Sequence, residues 1–137
     1  MRDAYTLIPI GVIHSPLTSR KNAPRQGYEG APEAWLEVDA QYVEALDRLA
    51  AGDAIIVITW LHQADRSVLK VHPRSEATNP LTGVFATRSP DRPNPLGLHR
   101  VTVLEISGTK LRIAPIEAID GTPVVDIKPV LTQSADS

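Results

Sequence analysis

Val101-Thr102-Val103-Leu104-Glu105-Ile106, Ser107-Gly108-Thr109 and Lys110-Leu111-Arg112-Ile113-Ala114-Pro115-Ile116 form the stretch on which the fold turns. Two apolar, β-branched runs flank a short turn with a central glycine, and Leu111 and Ile113 alternate with charged neighbours, which is the pattern of a hairpin. Antiparallel pairing follows. Downstream, Ile119-Asp120-Gly121-Thr122-Pro123 reads as a tight turn, and Val124-Val125-Asp126-Ile127-Lys128-Pro129 as a closing strand. The chain beyond, 130–137, is expected to be a frayed tail, polar from Thr132 onward.

Upstream, Ala54 to Leu61 is an almost unbroken apolar run with three isoleucines and a valine. It suits a strand buried on both faces or the inside of a barrel. Leu7 to Ile13 reads as a strand that Pro9 confines to an edge or a strand start, and Trp35 to Val38 and Val68 to His72 as further short strands. Between them, Tyr42, Val43, Leu46 and Leu49 recur at helical spacing behind Asp39 as N-cap. Glu44 and Arg48 offer an i,i+4 pair, and Gly52 supplies a stop. Six or seven short strands, one main α-helix and no βαβ alternation predict a mainly β fold: a mostly antiparallel sheet or small barrel with polar loops at one end. At 137 residues, with neither repeat nor linker, residues 1–137 are expected to form a single domain.

Composition narrows the chemistry. Zero cysteines exclude disulfides, thiolate metal sites and cysteine nucleophiles. With neither a basic-then-apolar N-terminus nor an 18-residue apolar run, the chain is expected to be soluble and cytoplasmic, with no membrane partner. Its net charge of −2 means that any nucleic-acid contact must rely on a local basic patch. His14, His62, His72 and His99 lie singly, so no metal is expected. Neither a Gly-x-Gly-x-x-Gly turn nor a phosphate loop ending in Lys-Ser/Thr is present, and no nucleophile elbow supports a Ser–His–Asp triad.

Gly83 to Gly97 is a loop in which Pro90, Pro93 and Pro95 fix φ and withhold their N–H groups, while Arg88, Arg92 and Asn94 project from a stiff frame. By itself it could be a plain surface connection, a Pro-x-x-P ligand from Pro90 to Pro93, or a functional loop. The polar segment His14 to Tyr28 lacks periodicity and is expected to need ordering by something else. His62-Gln63, at the end of the apolar run, suits either a ligand contact or a half-exposed strand end. Asp120 suits either a ligand or an Asx-turn before Gly121.

Val12-Ile13-His14-Ser15-Pro16, Pro24-Arg25-Gln26, Leu61-His62-Gln63, Gly83 to Gly97 and Asp120 to Pro129 together resemble the TsaA-like, or TrmO, family. The resemblance runs along nearly the whole chain in the family's order. It implies a β-barrel methyltransferase, unrelated to the Rossmann type, that uses S-adenosylmethionine, works as a homodimer with its site near the subunit interface, and methylates threonylcarbamoyladenosine next to the anticodon of tRNA. Carried over by position, cofactor contacts fall on Pro24, Arg25, Gln26, His62, Gln63, Arg88, Arg100, Ile119, Asp120, Gly121 and Thr122. His62 and Asp120 are the catalytic candidates for proton removal. Arg20, Lys21, Arg92 and Asn94, with Arg74, are the substrate-side candidates. The chain departs from the family's usual pattern at Asp91, before Arg92-Pro93-Asn94-Pro95, and at Val130 after Ile127-Lys128-Pro129. The same resemblance leaves room for a small-molecule acceptor, or for a non-catalytic module that binds S-adenosylmethionine or RNA.

Overall fold

The computed structural model describes residues 2–131. Its centre is a closed barrel of six antiparallel strands in the order β1-β2-β7-β6-β3-β8. The strands are β1 (Gly11–His14), β2 (Ala34–Val38), β3 (Ala54–Trp60), β6 (Leu96–Ser107), β7 (Lys110–Ala114) and β8 (Pro123–Pro129). A two-stranded ribbon, β4 (Lys70–Val71) with β5 (Thr82–Gly83), stands apart in the long β3–β6 connection. The hairpin forms as read: Ser107 pairs with Lys110, and Gly108 takes φ 61 in the two-residue turn, where a side chain would be strained.

Strand alternation sorts the side chains. Ile13, Leu36, Ile55, Val57, Val101, Val103, Leu111, Ile113 and Val124 point into the barrel and are buried. Two register slips, at Leu104 between Val103 and Glu105 and at Val125 opposite Ile58 and Thr59, are the kind of local bend that lets a short sheet curl shut. Gly11 permits the close approach of β1 and β2, since a Cβ there would stand 2.3 Å from the Glu37 carbonyl oxygen.

Two elements differ from expectation. The anticipated α-helix is a 3-10 helix over Ala40–Leu46. So short a segment gains little from helix propagation, and Tyr42, Leu46 and Leu49 are held by packing across the end of the barrel. Arg48, at φ 72, lies outside the helix, and no Glu44–Arg48 ion pair forms among the described residues. β3 takes the second of its two expected forms, lining the inside of the barrel, with Ile56, Ile58 and Trp60 half-exposed on its outer face. β6 starts at Leu96, so Gly97, His99 and Arg100 belong to a strand wall and not to a loop. Of the tail, the Val130 N–H still donates to the Ala54 carbonyl at 3.1 Å, and residues 132–137 lie outside the described residues. No described helix is long and apolar enough to cross a membrane.

The topology gathers three of the connections at one end. β1, β3 and β7 end, and β2, β6 and β8 begin, at the same end of the barrel. The three connections 15–33, 61–95 and 115–122 therefore emerge side by side. The 3-10 helix, the β6–β7 turn and both ends of the barrel chain lie at the other end.

Candidate functional site

Four of the segments singled out in the sequence meet at that loop-bearing end. The Asp120 N–H donates to the Leu17 carbonyl at 2.6 Å, the Gly121 N–H to the Ile13 carbonyl at 2.8 Å, and the Ser15 N–H to Asp120 Oδ1 at 3.0 Å. Asp120 thus ties the third connection to the first and does not merely close its own turn. Gly121 takes φ 82 there. Ile119 and Thr122 are buried, with the Thr122 hydroxyl donating to the Ile119 carbonyl at 2.7 Å, so this segment can offer a ligand Asp120 and backbone groups. A cleft of about 370 Å³ opens beside Asp120, between His14, Pro16, Trp35 and Arg112.

The first connection also reaches the proline loop. Arg20 donates to the Gln63 carbonyl at 3.2 Å and pairs with Asp91 at 3.2 Å, while Asp91 Oδ1 accepts the Asp65 N–H at 2.8 Å. Arg92 turns inward, and its fork donates to the carbonyls of Thr87, Ser89 and Val84 at 3.1, 3.0 and 2.8 Å. It is the clip of the proline loop. Arg66 donates to the Pro93 carbonyl at 2.7 Å and to Asn94 Oδ1 at 3.1 Å, with its guanidinium 5.1 Å from the centroid of the Trp60 ring. Arg74 pairs with Glu29 at 2.6 Å. Of the anticipated substrate contacts, Arg20, Arg92, Asn94 and Arg74 are thus already engaged within the loops, and Lys21 is exposed.

The anticipated cofactor contacts divide in two. Arg25, His62, Gln63 and Arg88 are exposed at the loop end, and Pro24 and Gln26 are half-buried beside them. Gln26 directly precedes a 3-10 helix, Gly27–Glu29, that packs against β6. Neither Arg25 nor Arg88 takes part in the Arg20–Asp91 or Arg74–Glu29 pairs, which leaves two guanidinium groups to meet an anion. The His62 ring has no hydrogen-bond partner among the described residues, so a strand-end hydrogen bond does not account for it. Arg100 is different. It stands on the outer wall of the barrel opposite Ile56, away from the loops of its own chain.

Two features escaped the sequence reading. Asp91, noted only as a departure, is the anchor on which Arg20 and Asp65 converge. Thr59 and His99 form a buried polar pair, Oγ1 to Nε2 at 2.7 Å, and His99 Nδ1 meets Glu117 Oε1 at 2.5 Å. Extending the alternation of β6 back to Leu96 would have turned His99 inward; nothing in the sequence singles out Asp91. Among ionisable groups here, Asp65 is held below the usual carboxylate range by the Ser67 hydroxyl and N–H that donate to it. Among the described residues no group of three or more His, Asp or Glu is arranged to hold a metal ion.

The chain has relatives among known proteins. A protein of Methanothermobacter thermautotrophicus described as a probable S-adenosyl-L-methionine-binding protein is 45% identical over 121 residues, 88% of this chain and 86% of the relative. An S-adenosyl-L-methionine-binding protein of Archaeoglobus fulgidus is 40% identical over 122 residues, covering 89% and 86%. The crystal structure of TrmO from Pseudomonas aeruginosa superposes with a TM-score of 0.76 at 30% identity, over 98% of this chain and 60% of that one. This chain thus spans about three fifths of the solved protein. With residues 12–137 matching the family model, and barrel and loops arranged as above, the chain belongs to the tRNA-methyltransferase O N-terminal domain family.

Proposed function

We propose that the protein is an S-adenosylmethionine-dependent methyltransferase whose cofactor lies at the loop-bearing end of the barrel and whose acceptor is the N6 of threonylcarbamoyladenosine next to the anticodon of tRNA. The observation that carries this reading is the convergence of Pro24-Arg25-Gln26, His62-Gln63, Arg88 and Asp120-Gly121 from three separate connections. The donor set fits the cofactor. Arg25 and Arg88 offer forks for its carboxylate, Asp120 and Gln63 offer acceptors for its ammonium or ribose hydroxyls, and the tied backbone of 119–122 can read the adenine edge at small entropic cost.

When bound, the cofactor supplies a methyl group activated on a sulfonium. The chain's part is to hold the acceptor nitrogen in line and to take its proton. We assign the proton to the exposed His62 imidazole. Asp120, whose Oδ1 already accepts the Ser15 N–H, orients the bound molecule.

The functional unit is a homodimer in the cytoplasm. Arg100 stands in an apolar outer face with Leu96, Leu98, Ile56 and Ile58, and pairing of two chains through that face would let each lend its Arg100 to the partner's site.

The decisive measurement is mass spectrometry of tRNA nucleosides from cells with and without the gene, complemented by wild type, Arg88→Ala or Asp120→Ala. Loss of methylated threonylcarbamoyladenosine, restored by wild type alone, supports the proposal; an unchanged profile overturns the acceptor. A small-molecule acceptor is the second reading, favoured by the engagement of Arg20, Arg92 and Asn94 inside the loops. Binding that weakens steeply with salt speaks for tRNA, and indifference to salt for the small molecule.

A further inference from the structure

Thr59, His99 and Glu117 form a polar chain through an otherwise apolar barrel. Thr59 is 0% exposed and His99 4%, whereas the Glu117 side chain reaches the loop-bearing end. The tautomer that satisfies all three groups has Nδ1–H donating to the Glu117 carboxylate and Nε2 accepting from the Thr59 hydroxyl, and no described buried side-chain polar atom is left unpartnered. The layout imitates a nucleophile, base and orienter. The Thr59 hydroxyl, however, is sealed in the barrel and cannot meet an acceptor, so the chain is not a catalytic triad.

Two glycines make room for it. Gly97 lies opposite Thr59 in the β3–β6 register, and a Cβ there would stand 2.6 Å from Thr59 Oγ1 and 2.8 Å from His99 Nε2. At the other end of the chain, a Cβ on Gly27 would stand 3.3 Å from Glu117 Oε2 and 3.0 Å from the Pro115 carbonyl oxygen. Gly27 directly follows Gln26, and Glu117 lies two residues before Ile119. The Ile116 N–H donates to the Pro32 carbonyl at 3.1 Å, which ties the same two connections again.

We propose that Glu117, clamped by His99, is a positioning residue: it seats the Gln26–Gly27 turn against the 117–122 segment and thereby sets the spacing of the two walls that receive the cofactor. This rests on the cofactor reading above. Neither Glu117 nor His99 need touch the ligand. Their effect passes through the backbone of two loops, and the strands carry only the anchor.

The test combines calorimetric binding of S-adenosylmethionine with amide hydrogen exchange on Glu117→Ala, Glu117→Gln and His99→Phe. Glu117→Ala is expected to raise Kd about tenfold or more and to speed exchange in 24–28 and 117–122, with the barrel strands still protected. Glu117→Gln keeps a carbonyl oxygen for the His99 N–H and is expected to recover most of both effects. Faster exchange confined to the two loops with Kd unchanged overturns the proposal, as does uniform loss of protection in a Glu117→Ala chain, which would make the pair a stability device only. Should His99→Phe fail to fold, the Glu117 pair decides alone. A wild-type protein that binds no S-adenosylmethionine overturns the cofactor reading, while the exchange pattern still reports on the coupling of the loops.

Discussion

Arg20 crosses the loop-bearing end of the barrel to pair with Asp91 at 3.2 Å, joining the first connection to the proline loop. The carboxylate that it meets also holds the Asp65 N–H, so one side chain braces two loops. Asp91→Asn keeps an acceptor for that N–H and removes the charge. Because the pair is exposed, the variant should lose no more than about 1 kcal/mol in urea unfolding. If tRNA is the acceptor, freeing Arg20 should tighten RNA binding and steepen its salt dependence by about one ion, as a filter-binding titration would show.

Arg88→Ala removes an exposed guanidinium that takes no part in either ion pair described at this end. Calorimetry should show S-adenosylmethionine affinity weakened by about 1–3 kcal/mol, the range for a charge-assisted hydrogen bond, at unchanged unfolding midpoint. Unaltered affinity would remove Arg88 from the site.

The outer face of β3 and β6 sets Leu98 opposite Ile58 and Arg100 opposite Ile56. Leu98→Glu places a charge in that apolar face and should convert a dimer to monomers by light scattering, with cofactor affinity falling in step. A wild-type monomer at micromolar concentration would count against the shared site.

His14 Nε2 lies 3.0 Å from Glu37 Oε1, and this hydrogen bond holds the Glu37 carboxyl below its ordinary range. A depressed carboxyl pKa contributes stability above the unfolded-state value and loses it as pH falls through the folded one. The contribution should therefore vanish only in acid, below the usual carboxylate range. An NMR titration of Glu37 should give a low midpoint that returns toward normal in His14→Ala.

Gly97→Ala would drive a Cβ to 2.6 Å from Thr59 Oγ1 inside the barrel. Overpacking of this kind costs about 1–3 kcal/mol, which chemical denaturation would register as a lower midpoint at unchanged slope.

The barrel was legible because alternation and turn chemistry are local: Leu111 and Ile113 around Gly108 announce the hairpin, and the run from Ala54 to Leu61 announces a central strand. The helix type was not. Tyr42, Leu46 and Leu49 carry helical spacing, yet packing against the barrel end and the left-handed Arg48 decide its geometry, and both are tertiary. In the site, the separated motifs fixed which segments meet. They could not show which cations are spent. Arg92 reads as a ligand contact in sequence, yet its fork is taken up by three carbonyls of its own loop. That depends on how the loop folds back on itself, which three prolines restrict but do not dictate.

β1 begins and β8 ends on the half of the barrel remote from the site, where Gly11 pairs with Val38, the last residue of β2, and Pro129 pairs with Ile55 near the start of β3. A reporter protein joined ahead of β1 or behind β8 would depart from the face opposite the working loops and leave them unobstructed. A linker long enough to return from Pro129 to Gly11, which pairs near the start of β8 at Val124, would make a circular permutant, whose new termini could open in the two-residue Gly108-Thr109 turn, also remote from the site. The frame can thus be cut and rejoined at one pole while its chemistry is left whole at the other.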